Sequence, residues 1–264
     1  MPVRRACGAV RIAPSSFYYH PRPRDDTPVV EALNALVGAH PRDGFWMCRK
    51  RLRAAGQPWN HKRIYRVYCA LKLNLPRRTK KRLPPRSRVA LHVPEAPDRV
   101  WSIDFMHDAL YTGRVFRTFN IVDDFTREAL AIEIDTSLPA ARVVRVLENL
   151  VAWRGLPRAI RCDNGPEFLA QSFVAWCRAR AIEIRYIQPG KPNQNAFIER
   201  FNRTFRRAVL DLYLFEDLDQ VREEAHRFLV DYNEQRPHDS LNDLPPTVYR
   251  RQYEAQCSTS ECSS

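Results

Sequence analysis

The chain contains 264 residues, of which 44% are hydrophobic and 28% are charged, and these values are ordinary for a globular protein. No stretch approaches the roughly 18 consecutive apolar residues of a membrane span, and the N-terminus has no apolar signal segment, so we expect neither a membrane location nor secretion. The seven cysteines form no C-x-x-C pair, which argues against a disulfide framework or a zinc ribbon and favours the reducing cytoplasm.

Positive charge is concentrated in the first third of the chain. Residues 1–98 contain 21 lysines and arginines against 6 acids, whereas residues 99–264 contain 22 against 24. Such an uneven distribution is typical of proteins that bind a polyanion, and it favours nucleic acid over a membrane as the partner. A merely solubilising surface is the alternative.

Residues 1–75 are predicted to form a small helical DNA-binding region. Its last three helices are expected at residues 29–37, 46–55 and 61–71. Asn60 can cap the last of them by accepting a backbone N–H. A helix, a break and a basic helix are the parts that a helix-turn-helix DNA reader requires, although a basic bundle of another function has the same pattern. The expected DNA contacts of the last helix are Lys62, Arg63 and Arg66.

Residues 76–98 are predicted to be a basic, proline-rich linker. Five prolines forbid a continuous helix, and seven basic residues suit the binding of a phosphate backbone. The contacts that we expect in this linker are Lys80, Lys81 and Arg82.

Residues 99–215 are predicted to form a mixed α/β core. The strands are expected at residues 100–106, 114–122, 128–134, 159–162 and 182–187. Three successive strands followed by alternating helices and strands are the order of the ribonuclease-H-like fold, a mixed five-stranded sheet with flanking helices. Residues 216–254 should add a C-terminal helix and a proline-rich extension, and residues 255–264 a disordered tail.

Three acids stand out by their positions in this predicted core. Asp104 interrupts an apolar strand, Asp163 directly follows the fourth strand, and Glu199 lies in the first turns of the last core helix. The first and fourth strands are neighbours in this fold, and a helix across their edge would bring Glu199 to the same point. Converging carboxylates repel one another and need cations, and oxygen-only ligation favours Mg²⁺ or Mn²⁺. Two such ions would activate a water or a 3′-hydroxyl for phosphoryl transfer.

The spacing D-x58-D-x35-E of these acids is similar to that of D-D-E transposases and retroviral-type integrases. The flanking segments resemble the orfB product of bacterial insertion sequences of the IS-three family, at residues 101–104, 163–168, 190–202 and 232–238. Residues 40–72 also resemble the helix-turn-helix that precedes the integrase core in that family.

The resemblance implies a bacterial transposase subunit that cleaves one strand at an element end and joins the freed 3′-hydroxyl to DNA. Asp104, Asp163 and Glu199 would be its catalytic residues and metal ligands. Terminal inverted repeats and target DNA would be its substrates. An orfA-type protein, or an OrfAB fusion, would be its partner, and the chain would form a homo-oligomer on DNA.

The helix that carries Glu199 is also expected to contact DNA. Arg203 and Arg206 follow Glu199 at spacings of 4 and 3, which predicts that all three share one helix face. The family resemblance implies a basic residue at the position of Arg206, and Lys191 lies in the preceding loop. A solvated Glu–Arg pair is the alternative for Arg203.

Other polar residues have simpler interpretations. Asp123 and Asp124 are predicted turn formers, and Asp108 a surface residue. Glu167 is expected to orient its loop or to contact DNA, and a structural role is favoured for His238.

Two other functions remain compatible with the sequence. A DNA-binding regulator made without its orfA partner would occupy element ends, although such a protein need not keep three acids. A ribonuclease-H-like nuclease would cleave without joining. Metal-dependent nicking would distinguish a transposase from the regulator, which does not cleave DNA. Joined DNA products would distinguish a transposase from the nuclease.

Overall fold

The boundaries of the helices and strands come from a computed structural model that describes residues 2–19, 25–76, 93–188 and 192–261. The N-terminal helices are α1 (Val3–Ala9), α2 (Pro14–Phe17), α3 (Thr27–Ala39), α4 (Phe45–Ala54) and α5 (His61–Ala70). The core comprises β1 (Val100–Ala109), β2 (Val115–Asp123), β3 (Ala129–Asp135), α6 (Ala140–Arg154), β4 (Ala159–Cys162), α7 (Pro166–Leu169), α8 (Gln171–Ala179), β5 (Glu183–Tyr186) and α9 (Ala196–Phe205). A π-helical segment (Arg206–Leu210), α10 (Leu218–Glu234) and α11 (Pro246–Glu261) follow. In these ranges, no helix has the length and apolarity needed to cross a bilayer.

The five strands form one mixed sheet in the order β3-β2-β1-β4-β5. The β1–β2 and β2–β3 pairs are antiparallel, whereas β1–β4 and β4–β5 are parallel. The predicted ribonuclease-H-like class, a five-stranded mixed sheet with flanking helices, is therefore confirmed. The predicted adjacency of the first and fourth strands is confirmed as well.

Each face of the sheet is covered by its own hydrophobic layer. Trp101 and Ile103 of β1 pack with α6, α7 and α8 on one face. Met106 packs on the other face with α9, the π-helical segment and α10. Because side chains alternate along a strand, Asp104 points to the α9 side. Ile198, Phe201 and Phe205, which are spaced 3 and 4 apart on α9, pack there as an apolar stripe and are fully buried.

The N-terminal helices have a separate small core. Apolar side chains of α3, α4 and α5 pack together, among them Leu33, Leu52 and Ile64. Asn60 Oδ1 accepts the backbone N–H of Lys62 at 2.9 Å, which confirms the predicted cap of α5.

This N-terminal part docks against α10 through buried charges. Arg51 of α4 donates two parallel hydrogen bonds to the Asp231 carboxylate, both at 2.8 Å. Its Nε donates to Asp43 at 2.8 Å, and Arg236 donates to the other oxygen of Asp43 at 3.2 Å. Arg51 and Asp43 are almost fully buried, so the orientation of α4 relative to α10 is fixed by direct, charge-assisted contacts.

The C-terminal end differs from the sequence prediction. A disordered tail was expected from residue 255, but α11 continues to Glu261, and residues 262–264 lie outside the described residues. Arg250 anchors the preceding turns of this helix, because it pairs with Glu254 one turn later at 2.8 Å and with Asp98 at 2.8 Å. The helix is thereby held both internally and against the core.

Candidate functional site

The register of the parallel strands brings Asp104 and Asp163 into line. Trp101 pairs with Ile160, and Ser102 with Arg161, so partners differ by 59 positions. Asp104 and Asp163 differ by the same number, although β4 ends one residue before Asp163. The two carboxylates thus lie at equivalent positions on neighbouring parallel strands, Asp104 within β1 and Asp163 directly after β4.

Helix α9 packs on β1 and β2 and carries Glu199 in its first turn. A direct hydrogen bond connects this helix to the first acid, because Asn202 Nδ2 donates to Asp104 Oδ2 at 2.9 Å. Asn202 lies one helical turn after Glu199 and is buried. The contact holds the Glu199 helix against the Asp104 strand, at the edge where Asp163 also lies.

Three asparagines near the acids were missed by the sequence reasoning. Asn120 Nδ2 donates to Asn202 Oδ1 at 2.7 Å, which extends the Asn202–Asp104 contact into β2. Asn195, just before α9, donates to the carbonyl of Ile103 at 3.4 Å. The sequence offered one indication of their role, an amide side chain among apolar residues. Asn120 lies between Phe and Ile in β2, and Asn202 interrupts the apolar stripe of α9.

The electrostatics of the site show that Asp104 responds to the charges of the other two acids. Burial raises the pKa of Asp104 to about 6, and the charges of Asp163 and Glu199 act in the same direction. The hydrogen bonds from Phe105 N–H and Asn202 oppose this shift, because they favour the ionised form. Burial also raises the pKa of Glu199, with an opposing effect from Arg203.

The donor chemistry of this group suits a hard divalent cation. Three carboxylates offer oxygen ligands only, and their mutual repulsion would be relieved by a cation. Within the described ranges, however, no three His, Cys, Asp or Glu side chains are close enough to hold one ion. The residues fit such an ion by charge and ligand type, without being gathered around one point.

The predicted DNA contacts of α5 are partly engaged within the protein. Lys62 is exposed, as predicted. Arg63 and Arg66 both pair with Asp26, at 2.9 and 2.6 Å, an acid just before α3 that the sequence reasoning did not consider. The pKa of Asp26 is lowered by these contacts, with the hydrogen bond from Arg63 as the largest cause.

Arg203 and Arg206 do not share one environment. Arg203 is exposed beside Glu199, as predicted. Arg206 instead donates to Asp108 Oδ2 at 3.0 Å and to the His107 carbonyl at 2.8 Å. The helix widens to π-helical geometry from Arg206, so a projection based on 3.6 residues per turn no longer applies. The remaining predicted DNA contacts, Lys80, Lys81, Arg82 and Lys191, lie outside the described residues.

The other polar residues divide between turns and ion pairs. Asp123 is a turn former, since its Oδ1 accepts from the N–H groups of Phe125 and Thr126. Asp124 lies in the predicted turn as well, but it is fully buried, and its Oδ2 lies 2.7 Å from Arg161. Glu167 pairs with Arg117 of β2, which supports a role in orienting its loop.

Buried His238 should make the folding stability of the protein depend on pH, independently of the three acids. Burial, followed by Arg236, lowers the pKa of His238 to about 3, whereas an unfolded histidine titrates near 6.5. Between about pH 6.5 and pH 3 the histidine is protonated in the unfolded chain and neutral in the folded chain, so the free energy of unfolding falls by up to about 1.4 kcal/mol for each pH unit of acidification. The stability that neutral His238 allows is fully present above about pH 6.5 and is lost as the pH falls.

Urea unfolding at pH 7 and pH 5 measures this effect. We expect His238→Gln to lose about 2 kcal/mol less stability than the wild type between these pH values. Comparison with the wild type is necessary because buried acids such as Asp104, with raised pKa values, change stability in the opposite direction. An identical pH dependence of the two proteins would contradict the assignment.

Comparisons with known proteins agree on one family. Residues 94–192 and 180–246 each match a family described as integrase core domain. A 31.7 kDa protein of insertion element IS407 from Burkholderia multivorans is 39% identical over 253 residues, covering 96% of this chain and 91% of the relative. Transposase InsD of insertion element IS2 from Escherichia coli is 28% identical over 247 residues, covering 88% of this chain and 81% of the relative.

A solved structure supports the fold independently. An intasome chain of simian T-cell lymphotropic virus superposes with a TM-score of 0.54 at 16% identity, covering 83% of this chain and 74% of that chain. At this identity the likeness concerns the arrangement of helices and strands. It agrees with the strand order and with the positions of the flanking helices.

Proposed function

This chain belongs to the insertion-element transposases that carry an integrase core domain, and we propose that it cleaves and joins DNA strands at the ends of its element. The observation that carries this proposal is the group of three carboxylates at one sheet edge, where the pKa of Asp104 responds to both Asp163 and Glu199. The arrangement disfavours folding rather than supporting it, because the charges of Asp163 and Glu199 oppose the ionised form of the buried Asp104.

In the proposed reaction, Asp104, Asp163 and Glu199 hold divalent cations, and we propose two Mg²⁺ or Mn²⁺ ions. When bound, the ions would activate a water or a 3′-hydroxyl and stabilise the leaving oxygen of a phosphodiester. Asn202 keeps Asp104 oriented and favours its ionised form by donating to Oδ2. Gly165 N–H donates to Asp163 Oδ1 at 3.1 Å and so fixes the second carboxylate.

We also propose the orfB type of the IS-three family for this chain. The matching segments around the three acids support this assignment, and an orfA-type protein or an OrfAB fusion would then be its partner. Terminal inverted repeats and target DNA are the proposed substrates, and assembly of several copies on DNA is proposed from the intasome likeness. Lys62, Arg63 and Arg66 on α5 are proposed DNA contacts, for which Arg63 and Arg66 would exchange Asp26 for phosphate.

The decisive assay uses the full chain with duplexes that carry the terminal repeat of its element. In Mg²⁺ or Mn²⁺ we expect a single-strand nick that leaves a 3′-hydroxyl, followed by joined products, and neither in EDTA. Binding without nicking in either metal would favour the regulator. Nicking without joined products would favour a simple nuclease.

Gly165→Ala should impair cleavage without unfolding the protein. A Cβ at this position would lie 3.0 Å from Asp163 Oδ1, so the carboxylate must shift by a few tenths of an ångström. The φ of −60° at Gly165 suits alanine, so backbone strain is not expected. Because misplacement of a catalytic group by 1 Å can cost about 10²-fold, we expect cleavage to fall by roughly tenfold.

Single-turnover cleavage and thermal unfolding measure the two effects. Gly38→Ala is the control, because a Cβ there meets no atom within 4 Å. Cleavage by Gly165→Ala at the rate of this control would show that the position of Asp163 is not critical.

A further inference from the structure

A cleft of about 550 Å³ opens beside Glu199, between three parts of the chain. One wall is the exposed side of α9 and its continuation, the second is the segment before α4, and the third is Arg236, two residues after α10. Five arginines line it: Arg42, Arg200, Arg203, Arg207 and Arg236. The term arginine cleft refers to this set.

The charge of the arginine cleft is only partly balanced. Its acidic lining residues are Asp43 and Glu199. The two oxygens of Asp43 already accept from Arg51, at 2.8 Å, and from Arg236, at 3.2 Å. Asp43 is therefore shared with a buried arginine outside the cleft, and an excess of positive charge remains.

Most of the guanidinium groups are free to bind a ligand. Arg203 and Arg207 are exposed and lie in no ion pair within 4 Å in the part of the chain that the structure describes, although the charge of Arg203 acts on Glu199. Arg42 donates to the carbonyl of Asp211 at 3.4 Å, a contact that leaves its charge unpaired. Arg200 is 3.9 Å from Asp239, and its side chain is 81% exposed, so solvent screens that pair strongly.

The spacing of three arginines along this wall fits a repeating anion. Arg200 and Arg203 are 3 positions apart on α9, Arg207 follows 4 positions later in the π-helical segment, and all three line the same cleft over about 10 Å of helix axis. One strand of B-DNA carries a phosphate about every 3.4 Å of helix axis, so a comparable length holds about three phosphates. Guanidinium groups bind phosphate oxygens in a bidentate manner.

We propose that the arginine cleft binds the phosphate backbone of the DNA strand that passes Glu199, with Arg42 completing it from the N-terminal part and Arg236 from the segment after α10. This proposal rests on the proposed function, which brings a DNA strand to Glu199. The cleft requires the docked N-terminal part, because Asp43 both holds Arg236 and is itself held by Arg51. The DNA strand is therefore bound jointly by the core and by the N-terminal part.

The test removes two cleft charges that make no ion pair in the described structure. Full-length Arg42→Ala/Arg207→Ala is compared with the wild type and with Arg145→Ala/Arg178→Ala. The control removes two exposed arginines from α6 and α8, which cover the opposite face of the sheet. Fluorescence anisotropy measures the affinity for a random-sequence duplex between about 50 and 200 mM salt.

Loss of two phosphate contacts should reduce the slope of log K against log salt concentration by about 2, so the affinity loss over this range becomes roughly tenfold smaller. The control should keep the wild-type slope. Equal slopes for the cleft variant and the control would overturn the proposal.

A parallel nicking assay with wild-type protein separates this proposal from the proposed function. A changed slope in the cleft variant, without wild-type nicking, supports the DNA site and contradicts the strand-cleaving function. If the wild type nicks DNA but the slope of the cleft variant is unchanged, the strand-cleaving function is supported and the arginine cleft is excluded as a DNA site.

Discussion

Asp104→Asn is expected to abolish metal-dependent strand cleavage while leaving DNA binding at least as tight as in the wild type. The substitution keeps the shape of the side chain, but it removes one anionic ligand and one of the two oxygens that accept from Phe105 N–H and Asn202. Because the proposed ions supply most of the stabilisation of the transferring phosphate, we expect a loss of more than about 10³-fold. Asp163→Asn and Glu199→Gln should behave alike, since each removes a carboxylate from the same group.

Separate assays of cleavage and binding are needed, because a misfolded variant would lose both. Asp108→Asn is the matched control, an acid on the same strand whose partner is Arg206, and it should retain cleavage. Cleavage near the wild-type level in Asp104→Asn would remove that residue from the site.

Arg51→Met should lower the free energy of unfolding by about 3–5 kcal/mol. The methionine fills much of the space of the arginine stem but leaves two acids, Asp43 and Asp231, without their main partner in a buried interface. An uncompensated buried charge costs far more than the modest value of a surface ion pair. Urea unfolding of the full chain measures the loss.

Two further variants identify the cause. Arg53→Met, at an exposed position of the same helix, should change stability by less than about 0.5 kcal/mol. Arg51→Met/Asp231→Leu should recover most of the loss, because an apolar pair avoids the desolvation of charge. If the double variant is no more stable than Arg51→Met, the loss comes from packing rather than from the stranded carboxylate.

The sheet and the three acids were predictable because their signals are local. Alternating apolar residues give the strands, and a carboxylate within an apolar strand, as at Asp104, stands out from its neighbours alone. The order of strands and helices then restricts the topology to few choices. The position of Asp163 beside Asp104 follows from that topology.

The remaining features depend on partners distant in the sequence. Arg51 reads as one more basic residue of a DNA-binding helix, yet its partner Asp231 is 180 positions away. Arg206 was projected along a regular helix, but it begins a π-helical segment and donates to Asp108. The part of α11 from residue 255 was expected to be disordered because its composition is polar, and the contact from Arg250 to Asp98 that anchors this helix cannot be read from composition.

The strand order also has a consequence for the order of folding. The β1–β2–β3 meander joins neighbours in sequence, whereas the β1–β4 pair joins residues 59 positions apart. Closing that longer loop costs more chain entropy, and non-local pairing forms more slowly than local pairing. Asp104 is therefore carried by the part of the sheet that can form early, and Asp163 joins it only when the parallel pair closes. A chain that has formed only the meander lacks the full set of carboxylates, so competence to bind the proposed ions arises late in folding.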